Sequence, residues 1–155
     1  MLDSKDKKIM EILQQDASIT IRALADRIDL TQTPCRERMI TLTQNNYMRG
    51  PVMLLNKNKL NLHITAFVMI KMCDHYHERN EKLIADITRM PEVIEFHRTT
   101  GICDYVLQVV ASDMQHYADI YAHMVKHTGE QCNITTSLSL LELKSTTHLP
   151  LSNIG

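Results

Sequence analysis

Arg36 and Arg38, with Thr31, Gln32 and Thr33 just ahead of them, are the side chains of this 155-residue chain whose types and spacing suit a defined chemistry. An arginine fork takes guanine bidentately, Gln does the same for adenine, and a Thr hydroxyl holds a phosphate oxygen. Thr20 before them and Arg49 after them extend the set to seven residues for DNA contact. Other constellations carry less. His116, His123 and His127 share one side of a helical stretch, and Cys73, His75 and His77 lie close together. Packing or surface exposure explains both groups better than a metal site. The four cysteines (35, 73, 103 and 132) form no C-x-x-C pair, so they read as reduced thiols in a reducing compartment, with Cys35 packed rather than reactive. There is no Gly-rich phosphate loop and no nucleophile–base pair, so the expectation is no cofactor, no metal and no catalysis.

Solvated arginines on an arbitrary surface would read nothing, so the elements that place them decide the matter. Thr20–Gln44 reads as two short helices joined by a tight turn at Asp29-Leu30, with Thr20 and Thr31 as N-cap residues. Pro34 sits in the first turn of the second helix, where a missing N–H costs little. This is the pattern of a helix-turn-helix, whose second helix enters the DNA major groove. An amphipathic helix over 4–15 precedes it, carrying Ile9, Ile12 and Leu13 at helical spacing. Tyr47–Leu55, broken at Gly50-Pro51, reads as a small hairpin beside the recognition helix, a wing.

Charge supports that partition. Residues 1–60 hold 10 Lys+Arg against 7 Asp+Glu, a net of +3; the remainder holds 7 against 11, a net of −4. A basic head on an acidic body suits a protein that touches double-stranded DNA with one part only. So small an excess predicts weak binding by one copy and a need for several heads on one duplex. The N-terminus lacks the apolar core of a signal peptide, and no apolar run approaches the ~18–20 residues of a membrane span. A cytoplasmic protein with no membrane partner is expected.

After a polar connection near 53–62, the pattern turns to strands and helices: strand 64–72, helix 77–90 stopped by Pro91, strand 93–99, strand 104–111, helix from Ser112 or Asp113 to 127, strand 132–143. The order β-α-β-β-α-β is that of a ferredoxin-like split βαβ unit. The expected fold is therefore α+β, with a winged helix-turn-helix domain at 1–52, a linker at 53–62 and a second domain at 63–155. The last residues, from Lys144, are expected partly ordered against that second domain. The ten methionines read as adaptable packing.

At this point the chain resembles the Lrp/AsnC family of transcriptional regulators. Four segments carry the resemblance, which covers about residues 2–151: Leu2-Asp3-x-x-Asp6-x-Lys8-Ile9; Leu30-Thr-Gln-Thr-Pro-Cys35-x-x-Arg38; Thr100-Gly101-x-x-Asp104-Tyr105; and Leu143-Lys144-x-Thr-Thr-x-Leu149-Pro150-Leu151. The resemblance implies a body that dimerises through its sheets, assembles into tetramers, octamers or hexadecamers, and binds an amino acid between subunits near the turn between its second and third strands. By that analogy the effector residues are Gly101, Ile102, Cys103, Asp104 and Tyr105, with the hydroxyls of Thr135 and Ser137 available for a carboxylate. The chain departs from the family pattern at Asp29, often Gly or Asn, and at Ile40 and Thr41, often Arg or Lys. It departs again at Ile102, often acidic or polar, so a partner for an effector ammonium is missing. The cysteine-bearing turn leaves room for a thiol-containing effector such as cysteine. The leading expectation is a sequence-specific regulator controlled by a small molecule. Its alternatives are a DNA-architectural protein without effector and a small ferredoxin-like enzyme such as a monooxygenase, which would leave the N-terminal head unexplained.

Overall fold

The computed structural model describes residues 2–72, 77–128 and 132–152. The chain divides into two compact units, Met1–Leu54 with Lys144–Gly155, and Leu55–Leu143. The tail from Lys144 therefore belongs with the N-terminal head. The expectation that it would order against the second domain is corrected.

Three helices make the head: α1 (Ser4–Gln15), α2 (Ile21–Arg27) and α3 (Gln32–Gln44). Asp3 opens α1 in a capping box, accepting from the backbone N–H of Lys5 and Asp6 while its own N–H donates to the Asp6 carboxylate. Thr20 caps α2 through the N–H of Ala23 at 3.2 Å. Asp29 turns the chain between α2 and α3 at φ 53°, a conformation Asp tolerates better than most residues. Ile9, Met10, Leu24, Ala25, Ile28, Cys35 and Leu42 form the buried centre. Leu151 of the tail packs against it, and the Gln14 side chain clasps Leu149, accepting from its N–H at 2.9 Å and donating to its carbonyl at 3.0 Å.

The expected wing hairpin does not form. From Gly50 to Asn56 the backbone is neither strand nor helix, and Val52, Met53, Leu54 and Leu55 are 69–86% exposed. Pro51 cannot donate to a ladder, and a lone two-stranded hairpin has little to hold it. The connection that follows is a 3-10 turn, Lys57–Leu60, capped by Asn56 and closed by Asn61 at φ 59°.

The second unit is a four-stranded antiparallel sheet in the order β2-β3-β1-β4, built from β1 (Ile64–Met72), β2 (Val93–Arg98), β3 (Tyr105–Ala111) and β4 (Cys132–Leu138). Helices α4 (His77–Thr88) and α5 (Met114–Thr128) supply the apolar layer on one face. Asp113 caps α5 by accepting from the His116 N–H at 2.9 Å. Alternation sets the faces. Ala66, Val68 and Ile70 of β1, and Tyr105, Leu107 and Val109 of β3, point to the helices and are buried with Leu83, Ile87, Tyr117, Ile120 and Met124. Thr65, Phe67, Met69 and Lys71 occupy the alternate positions, on the helix-free face. The α+β, ferredoxin-like expectation for this unit holds. The last strand ends at Leu138 instead of 143; Leu140, Leu141 and Leu143 beyond it are 73–100% exposed.

Candidate DNA-reading helix and effector pocket

Arg36 and Arg38 part company on α3. Residues two positions apart on a helix lie about 200° from each other, so these two cannot share a face. Arg36 is exposed with Gln32 and Thr33 on the outward side. Arg38 points back to the start of α1, where Nη1 donates to Asp3 Oδ2 at 2.6 Å and Asp6 Oδ1 at 2.7 Å. Hydrogen bonds from the Asp6 backbone N–H and from Arg38 hold the Asp3 carboxyl below its ordinary range. Arg38 was expected to contact DNA; in this structure its guanidinium joins α3 to α1. Thr31 sits at the N-cap of α3 without a side-chain cap bond, and Thr20 spends its hydroxyl on the cap of α2. Arg49 is exposed on the irregular segment after α3. Cys35 is buried in the head core, and desolvation pushes its thiol up, as suits packing rather than reaction.

The expected effector residues divide in the same way. Gly101 holds the β2–β3 turn at φ 104°, which is why glycine stands there. Ile102, 87% exposed, and Cys103, buried, line a small pocket of about 190 Å³ with Met69, Lys71, Asn133 and Thr135. Asp104 does not line it. Its carboxylate accepts from the Met72 N–H at 2.7 Å and pairs with Lys71 Nζ at 3.2 Å, so it fastens the turn to β1 and steadies the lysine. Tyr105 points the other way, into the helix-covered core, with its ring 5.5 Å from Phe96. Ser137 lies on the same face as Thr135 but pairs with Phe67, away from the pocket.

Met69, Lys71 and Asn133 escaped sequence reasoning. The signal was strand parity: Met69 faces Thr135 and Lys71 faces Asn133 across the β1–β4 ladder. That pairing was not visible before the strand order was known. Of the histidine and cysteine groups, Cys73 and His75 lie outside the described residues, as do the side chains of His77 and His127. Among the described residues no three metal-ligating side chains gather.

Comparison with known proteins decides the family. The model of the AsnC-type helix-turn-helix domain matches residues 2–42, and that of the Lrp/AsnC ligand binding domain matches residues 65–149. The chain belongs to the Lrp/AsnC family. It is 37% identical to the DNA-binding transcriptional activator DecR of Escherichia coli K12, over 97% of this chain and 99% of that one. It is 32% identical to the glutamate uptake regulatory protein of Zymomonas mobilis, over 97% and 91%. Among solved structures, an AsnC family transcriptional regulator from Agrobacterium tumefaciens superposes with TM-score 0.93 at 32% identity, covering 99% of both chains. A transcriptional regulator from Neisseria meningitidis, solved as a complex with L-Met, superposes at 0.92 and 31%, covering 98% of both. The chain is thus a transcriptional regulator with a DNA-binding helix-turn-helix and a ligand-binding domain, and its family relatives are regulators rather than enzymes. Among the described residues no helix is long and apolar enough to cross a membrane.

Proposed function

We propose that this regulator reads a specific double-stranded DNA site through Gln32, Thr33 and Arg36, and that a free amino acid bound beside the β2–β3 turn controls it. The observation that carries the effector reading is Lys71. It is a cation held by Asp104 at the edge of a pocket otherwise lined by Met69, Ile102, Cys103, Asn133 and Thr135. A carboxylate suits Lys71 with the Asn133 and Thr135 polar groups, while an apolar or sulfur-bearing side chain suits Met69, Ile102 and Cys103. The volume is below the ordinary ~300–1,000 Å³ of ligand pockets, which favours a metabolite of amino-acid size. The L-Met found in the Neisseria meningitidis relative points the same way.

The helix-free face of the sheet supports assembly. Phe67, on a central strand, is 41% exposed there beside Met69, Val106 and Val110. A second copy of the chain would cover that face and set two heads on one duplex. The effector would then act by favouring one assembly over another.

The test is calorimetric titration of the full chain with each of the twenty amino acids, followed by DNA binding with and without the one that binds. An apolar or sulfur-bearing amino acid is expected to bind, and Lys71→Met is expected to weaken it at least tenfold. If none binds and none alters the DNA affinity, the sensing role is wrong and an architectural role remains.

A further inference from the structure

The outward face of α3 changes character halfway along. Its first half, Gln32, Thr33 and Arg36, is polar and exposed. One turn past Arg36 stands Ile40, 49% exposed and outside the buried centre of the head. Thr43, another turn on, spends its hydroxyl on the Met39 carbonyl at 2.9 Å. A shallow cleft of about 400 Å³ runs beside Ile40, lined also by Ile21, Arg36, Met39, Thr43 and Gln44.

Ile40 is an odd choice for a helix surface. A β-branched residue is a poorer helix former than Gln, Lys or Arg, and half-exposed apolar surface adds little to folding. In the major groove the one apolar group on a base edge is the thymine C5 methyl. We propose that Ile40 is a specificity residue that reads a thymine methyl, next to the base pair read by Arg36. This rests on the DNA-reading assignment above. One helical turn from Arg36 to Ile40 advances about 6 Å along α3, which lies in the groove and not along the duplex axis, so the thymine falls within about two base pairs of the Arg36 contact. The recognition sequence therefore carries a guanine and a thymine at that spacing.

Duplexes selected from a random pool by the full-length chain supply the site. Each thymine is then replaced singly by deoxyuridine, which removes only the methyl. At one position this change is expected to weaken wild-type binding about three- to fivefold, the scale of burying one methyl. Ile40→Ala is expected to bind the unmodified site about as weakly and to stop distinguishing thymine from uracil there. Ile40 is outside the core, so the variant folds; circular dichroism and the melting temperature check that. Wild-type indifference to every deoxyuridine, or an Ile40→Ala protein that keeps the penalty, overturns the inference while leaving DNA reading intact. A selection that returns no preferred sequence overturns both.

Discussion

Arg36 and Arg38, two positions apart, have different surroundings, one exposed and one paired with Asp3 and Asp6, and substitution separates them. Arg36→Ala is expected to lower affinity for the selected DNA site by about 5- to 150-fold, the worth of one bidentate base contact, with the melting temperature unchanged. Arg38→Met is expected to do the reverse in kind: a lower melting temperature from the lost link to Asp3 and Asp6, worth ~1 kcal/mol because Arg38 and Asp3 remain part-exposed. Its pH dependence has a definite sign. Asp3 is held below its ordinary value in the folded chain, so its contribution is present above about pH 4 and fades as pH falls through the folded value. Thermal melts of wild type and Arg38→Met should therefore converge on acidification below that point. The sequence named both arginines, but their division followed only from where α1 lies. Lys71 was hidden for a similar reason. A lone lysine in an apolar strand says nothing until the β1–β4 register sets it opposite Asn133 and beside the turn that Asp104 fastens.

Helix periodicity and capping made α1, α2 and α3 legible within a residue or two, because each carries its own start signal and its own buried stripe. The strands of the second unit were legible from their β-forming residues and their faces from alternation, apart from the end of β4, expected at 143 and found at Leu138. Two elements were not. Tyr47–Leu55 has the residues of a hairpin, yet Pro51 and the lack of any third strand leave it irregular. The tail joins the head through contacts that no local pattern announces, above all the two hydrogen bonds between Gln14 and Leu149, 135 residues apart in sequence. Truncation after Ser145 is expected to destabilise the head by roughly 1–3 kcal/mol, the scale of those bonds and of the Leu151 contact. Hydrogen exchange checks it: amides of α1 and α3 should exchange faster while those of β1 and β3 hold.

Reassigning the tail also redraws the charges of the whole molecule. The head, 1–54 with 144–155, holds 9 Lys+Arg against 7 Asp+Glu, a net of +2; the body holds 8 against 11, a net of −3. The head is thus weaker electrostatically than its sequence boundary suggested, and one head alone is expected to bind DNA weakly. Phe67→Asp, which puts a charge on the helix-free face of the sheet, is expected to shift the chain toward monomer in sedimentation velocity. It should also cost at least tenfold in DNA affinity while leaving α3 intact.

The discontinuity of the head has a further consequence, for synthesis. A ribosome releases α1, α2 and α3 first, then the whole ferredoxin-like body, and only then the segment that carries Leu149 and Leu151. Domains usually fold as the chain emerges, N-terminal first. Here the DNA-binding unit reaches its full set of contacts after the body has been made, so a chain arrested during translation carries a helix-turn-helix that is incomplete.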